Sequence, residues 1–193
     1  MVLSVEEYKN KALKELGDFF GFELEPKVII VKDRDEIDKL LGYKTENWLV
    51  GWADKDSIYI LDKDNYEKES IHKYSDENYS KLIKHELAHV FFLNLSNNKS
   101  EPDWLWEGLS LYLAEQNKDK PLKLENFLEY YEKKDQGVFK ESGWAVQFLI
   151  EKFGKEKLIE LIKSLAQVKD KNDFYKQFNK LYGFELTYKN FNE

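Results

Sequence analysis

The sequence predicts an α+β protein, with a small N-terminal mixed sheet and a long helix followed by helices to the C-terminus. Three observations predict it. β-Branched runs are confined to residues 26–61, helical spacing of apolar residues dominates from residue 76 onward, and no internal repeat or low-complexity linker separates the two halves. The 193 residues suit a single domain, in which residues 1–96 carry the sheet and the long helix and residues 97–193 form a helical subdomain.

Taken in order, Val5, Tyr8, Ala12, Leu13, Leu16, Phe19 and Phe20 recur at helical spacing and predict a helix over 5–20. Pro26 to Lys32 is a β-branched strand. Asp35 to Leu41 is a short helix stopped by Gly42. Residues 48–53 and 57–61 read as two strands joined by a turn at Asp54-Lys55-Asp56, and the polar stretch 62–75 reads as a loop. Ser75 can cap a helix over 76–96. Ser100-Glu101-Pro102-Asp103 has the spacing of a capping box and opens a helix to about Gln116. Further helical patterns cover 122–134, 141–153, 155–167 and 171–182.

Composition excludes several function classes. The net charge of -7 argues against a phosphate-binding face, and with Arg34 the only arginine the bidentate base readers are lacking, so no nucleic-acid partner is expected. No apolar run reaches membrane-spanning length, so no membrane partner is expected. The chain has no cysteine, so a metal would have to be held by histidine and carboxylate. That absence fits a reducing cytosol. The N-terminus lacks a basic stretch followed by an apolar one, which predicts a cytoplasmic location unless a leader has been removed.

Two of the three histidines form His85-Glu86-Leu87-Ala88-His89. On a helix, positions four apart lie on one face, so both imidazoles can converge on one metal ion. The intervening Glu86 then stands beside a metal-activated water and can take its proton as general base. Leu82, Ile83, Leu87, Ala88, Val90, Phe91 and Phe92 make this helix apolar almost all round, so it should be buried. A buried His, Glu and His need partners, and a metal site supplies them. Glu107, inside the apolar stretch Trp104 to Ser110, is the candidate third ligand. His89 and Glu107 each stand about 10 Å from the loop connecting their helices, at the ~1.5 Å rise of a helix, so an antiparallel pair brings them level.

His85-Glu86-x-x-His89 followed by Trp106-Glu107-Gly108-Leu109-Ser110 resembles the gluzincin clan of zinc metallopeptidases, in particular compact peptidase-MA-like proteins that include the minigluzincins. Phe148 to Gly154 and Leu181-Tyr182-Gly183 are similar to later, looser parts of the family pattern, so the resemblance covers about residues 48–186. It implies a zincin-like fold and a zinc cofactor on His85, His89 and Glu107. It also implies hydrolysis of a peptide or protein substrate, with Glu86 as base. Further, it implies that Gly51, Trp52 and Ala53 belong to an edge strand that pairs with an extended peptide, although an ordinary structural hairpin with Trp52 on the core face reads equally well. Two positions depart from the family. Phe139 stands where a hydroxyl-bearing Tyr is common, leaving Tyr112, Tyr130 and Tyr131 as substitutes. Leu111 stands where an acidic residue often supports the ligand helix. Of competing readings, a zinc-holding regulatory or peptide-binding domain with little turnover stands beside the active enzyme. His72 reads as a surface residue.

Overall fold

The computed structural model describes residues 4–133 and 136–193. The chain divides into two compact units, Met1–Val90 and Phe91–Glu193. As the sequence predicts, it is an α+β protein with a small mixed sheet.

The first unit begins with α1 (Val5–Phe20), which Ser4 opens with a capping box. Its hydroxyl accepts from the Glu7 N–H at 3.2 Å while its own N–H donates to the Glu7 carboxylate at 2.7 Å. Tyr8, Ala12, Leu16 and Phe20, one helical stripe, are buried. Strand β1 (Lys27–Val31), helix α2 (Arg34–Leu41) and strands β2 (Gly51–Ala53) and β3 (Ser57–Leu61) follow. The sheet order is β1-β3-β2, with β3 central, β1 parallel to it and β2 antiparallel. The fully buried Ile58, Ile60 and Leu61 make β3 apolar on both faces, as a central strand must be.

Helix α4 (Asp76–Leu95) delivers the histidine motif, and the unit boundary falls inside it. Ser75 caps it as expected, its hydroxyl accepting from the Asn78 N–H at 3.1 Å. Two contacts hold it within the first unit. The Tyr79 hydroxyl donates to the Leu61 carbonyl at the end of β3 at 3.0 Å, and the Lys84 ammonium meets the Glu15 carboxylate of α1 at 2.5 Å. The stretch 62–75 is not wholly loop: a one-turn helix, α3 (Tyr66–Glu69), forms there because Tyr66 packs its ring against Tyr79 and is buried.

Arg34 fastens the segment that leads into β2. One guanidinium nitrogen donates to the Thr45 hydroxyl and to the carbonyls of Glu46 and Leu49, the last at 2.7 Å, and the other to the Glu69 carbonyl at 2.7 Å. Asp38 accepts from both the Thr45 hydroxyl and its N–H, and these two bonds, ahead of nearby Lys44, hold the Asp38 carboxyl down at about 2.

The second unit contains α5 (Asp103–Leu113), α6 (Val138–Phe153), α7 (Lys155–Ser164), α8 (Lys171–Tyr182) and a short α9 (Tyr188–Phe191). The helix expected over 122–134 does not form. Through residue 133 there is only a 3-10 turn at Phe127–Glu129, and Lys134 lies outside the described residues. The reason is Glu141 of α6. One oxygen of its buried carboxylate accepts the backbone N–H groups of Glu125, Asn126 and Phe127, at 2.9, 2.7 and 3.1 Å. Asn192 clamps the N–H and carbonyl of Leu124 in the same way. Backbone groups satisfied from a distant element have no need of a helix.

Helix α5 also starts differently from expectation. Pro102, not Ser100, is its N-cap, and the N–H groups of Asp103 and Trp104 donate to the carbonyls of Tyr131 and Tyr130 instead of to a side-chain cap. It ends at Leu113, short of Gln116, because Glu115 takes a left-handed φ of 55° and the Gln116 N–H turns back to the Leu111 carbonyl. Among the described residues, no helix is long and apolar enough to cross a membrane.

Arg34→Ala is expected to lower the unfolding free energy by about 2–4 kcal/mol, since it strips charge-assisted donors from four acceptors at once. Arg34→Lys should recover little, because one ammonium cannot span the two backbone segments. Urea denaturation checks this, and a midpoint unchanged in Arg34→Ala would remove Arg34 as the anchor.

Candidate metal centre and substrate edge

Helix α4 is buried at every position from Leu82 to Leu93 except Lys84. Its three polar residues of the motif share that burial: His85 is 7% exposed, Glu86 6% and His89 4%. The two imidazoles stand one turn apart with ring centroids 4.7 Å apart and planes nearly perpendicular. Burying two imidazoles and a carboxylate in so apolar a helix is costly unless they are paired or hold a cation.

Glu107 lies on α5, half-buried. Among the described residues, His85, His89 and Glu107 each offer one ligand atom, and these atoms lie within 4.8 Å of one another. Two imidazole nitrogens and a carboxylate oxygen are a donor set that zinc takes in catalytic sites, where a fourth position stays open. The chemistry of the donors therefore fits the ion.

The surroundings of Glu86 are set by β2. Gly51 is buried, and a β-carbon placed on it would stand 3.0 Å from a Glu86 carboxylate oxygen and 3.1 Å from its Cγ. Glycine is what lets this strand reach the carboxylate. Strand β2 is an edge of the described sheet, and its register shows which groups face outward. The Leu61 N–H donates to the Val50 carbonyl and the Asp54 N–H to the Ser57 carbonyl, so by the alternation of an antiparallel ladder Trp52 and Tyr59 are the hydrogen-bonded pair between them. Gly51 and Ala53 therefore turn their N–H and carbonyl groups away from β3. Successive side chains alternate across the sheet, so Gly51 and Ala53 share the face of Glu86, whereas Trp52 points to the opposite face. There its ring stacks parallel on Tyr59 at 4.6 Å, half-exposed.

Tyr66 is a neighbour of Glu86 that the sequence reading missed. Burial first, and then the charge of Glu86, hold its hydroxyl up at about 12. The only sequence signal was an aromatic residue within a polar stretch. His72, expected at the surface, is half-buried. Its Nε2 donates to the Trp48 carbonyl at 2.8 Å, so it helps hold the chain entering β2.

The three tyrosines weighed as substitutes for Phe139 all lie in the second unit. Tyr131 packs edge-on against Phe174 under the Lys171 ammonium, and burial pushes its hydroxyl up to about 12. Tyr130 is buried and its carbonyl accepts the Trp104 N–H, while Tyr112 is half-buried with its carbonyl engaged by the end of α5. Phe139 itself sits in the first turn of α6, 36% exposed. Leu111 is buried.

Helix α5 is brought close to α6 at the residue after Glu107. A β-carbon on Gly108 would meet the Ser142 carbonyl oxygen at 2.5 Å and its carbon at 2.7 Å, both backbone atoms that cannot swing aside. Comparison of the chain with family models, with curated proteins and with solved structures finds no match.

Gly108→Ala is expected to destabilise the protein by about 1–3 kcal/mol through overpacking of α5 on α6. Thermal unfolding measures it, and an unchanged Tm would mean that the spacing of these helices is not set at Gly108.

Proposed function

We propose that this chain is a metal-dependent hydrolase of peptide bonds. Within that class it fits a zinc peptidase of the gluzincin type, with a zincin-like fold, in which His85, His89 and Glu107 hold the ion. The observation that carries the reading is the position of the Glu86 carboxylate, flanked on its own buried helix by His85 and His89 and lying against Gly51 of an edge strand. The order of the motifs in the sequence supports the same reading.

When bound, the ion supplies Lewis acidity that makes a water molecule acidic near neutral pH and polarises the scissile carbonyl. The chain's own residues supply the rest. The outward N–H and carbonyl groups of Gly51 and Ala53 pair with an extended peptide backbone and fix its register. Their face of the strand is the face of Glu86, so the paired peptide is presented to the carboxylate. Glu86 accepts the proton of the attacking water and delivers it to the departing amine. The apolar helix around it excludes bulk water, which strengthens each of these interactions.

Metal analysis after dialysis against zinc is expected to find one zinc per chain in the wild type and almost none in His85→Ala/His89→Ala. Stoichiometric zinc in that double variant would overturn the assigned ligands.

In a peptide-library assay, Glu86→Gln should keep its zinc and fold but lose nearly all turnover, because an amide cannot take the proton. Gly51→Ala should lower kcat about tenfold or more by displacing the Glu86 carboxylate a few tenths of an ångström. Wild-type turnover in Glu86→Gln would sink the assigned base. Peptide binding by the wild type without any cleavage would instead identify a peptide-binding domain.

A further inference from the structure

The Trp52–Tyr59 stack lies on the face of the β2–β3 hairpin that the proposed chemistry does not use. It is half-exposed in the whole chain. Asp54, the residue after the end of β2, continues the ladder by donating its N–H to the Ser57 carbonyl, so by strand alternation it falls on the face of Trp52, two residues before it. Burial first, then the charge of Asp54 and a hydrogen bond to it, and last the charge of Asp56, raise the Tyr59 hydroxyl above its ordinary range, in keeping with that placement. Asp54 and Asp56 are exposed.

A peptide that pairs with the outward groups of Gly51 and Ala53 has one residue directly across from Trp52. Cross-strand partners point to the same face, with β-carbons about 4.5–5.5 Å apart. That one side chain therefore lies along the exposed flank of the indole, next to Asp54, while its two neighbours turn towards Glu86. An indole face attracts a cation, and arginine and lysine have the length to lie over the ring and still reach a carboxylate at its end. An acidic side chain there would meet Asp54 and Asp56 as like charges.

We propose that this surface selects substrates bearing arginine or lysine at the position across from Trp52, so that the chain acts on basic peptides. The inference rests on the reading of β2 as the peptide-pairing edge. The cation lies over Trp52, Asp54 neutralises it, and Tyr59 backs the indole so that the ring cannot swing away. Because Asp54 is exposed and Trp52 half-exposed, the selection weakens as salt rises.

The test uses the full chain carrying Glu86→Gln and loaded with zinc, so that ligand survives the measurement. It is titrated at low salt, by fluorescence anisotropy, with a labelled nonapeptide of alanine and threonine carrying one central arginine. A second titration uses the same peptide with glutamate at the centre. The arginine peptide is expected to bind about tenfold more tightly, the order given by one exposed cation–π contact and one exposed charge pair. Trp52→Ala and Asp54→Asn should each bring the two affinities closer together. Asp54→Asn is nearly isosteric, and an unchanged circular dichroism spectrum establishes its fold. Equal affinities in the parent, a preference that survives both substitutions, or failure of the arginine peptide to bind overturns the inference. If the preference holds while the wild type cleaves neither peptide, the hydrolytic reading fails and the selection stands. If the wild type cleaves both peptides without preference, the selection fails and the hydrolytic reading stands.

Discussion

A β-carbon on Gly51 would stand 3.0 Å from the Glu86 carboxylate, close enough to displace it. That contact ties an edge strand to the middle of a buried helix, and much of the first unit serves to keep it in place. Arg34 and His72 hold the carbonyls of Leu49 and Trp48, the residues just ahead of β2, so the strand enters the sheet at a fixed height. Tyr79 and Lys84 anchor α4 from the other side, to the end of β3 and to α1. A carboxylate inside an apolar helix keeps its position only if its neighbours cannot move, and here those neighbours are tethered by hydrogen bonds of 2.5–3.0 Å.

The second unit solves a different problem with similar means. Its 3-10 segment and the start of α5 both leave backbone groups that no regular ladder satisfies. Glu141 gathers three N–H groups on one oxygen, Asn192 takes both groups of Leu124, and the carbonyls of Tyr130 and Tyr131 cap α5. A buried carboxylate accepting several N–H bonds recovers much of the hydration it gives up, which is how a charged side chain can sit at 7% exposure in this unit.

Local pattern made most of the helices and strands legible. The stripe of Tyr8, Ala12, Leu16 and Phe20, the β-branched runs of β1 and β3, and the cap at Ser75 each act over a few residues, so they can be read without knowing what lies across from them. The expected helix at 122–134 failed for the opposite reason. Its periodicity is helical, but the partner that captures its N–H groups is Glu141, more than a dozen residues further along the chain. Tyr66 was missed in the same way. In the sequence it is one aromatic residue among charges, and it is its packing among His72, Tyr74 and Tyr79 that goes with its burial, within the field of Glu86.

By itself, the sequence determined that His85 and His89 lie one turn apart on an apolar helix with Glu86 between them, because a helix of 3.6 residues per turn makes that a consequence of spacing alone. It also determined the donor types open to a metal, since a chain without cysteine has only imidazoles and oxygens to offer. Tertiary structure decided which strand is the edge, that Gly51 rather than Trp52 turns towards Glu86, and that Trp52 stacks on Tyr59 across the sheet. The hairpin turn leaves either strand able to be outermost. The outcome depends on the pairing of β1 with β3, a contact between segments some thirty residues apart whose register is set by burial of Ile58, Ile60 and Leu61 rather than by any local preference of the chain.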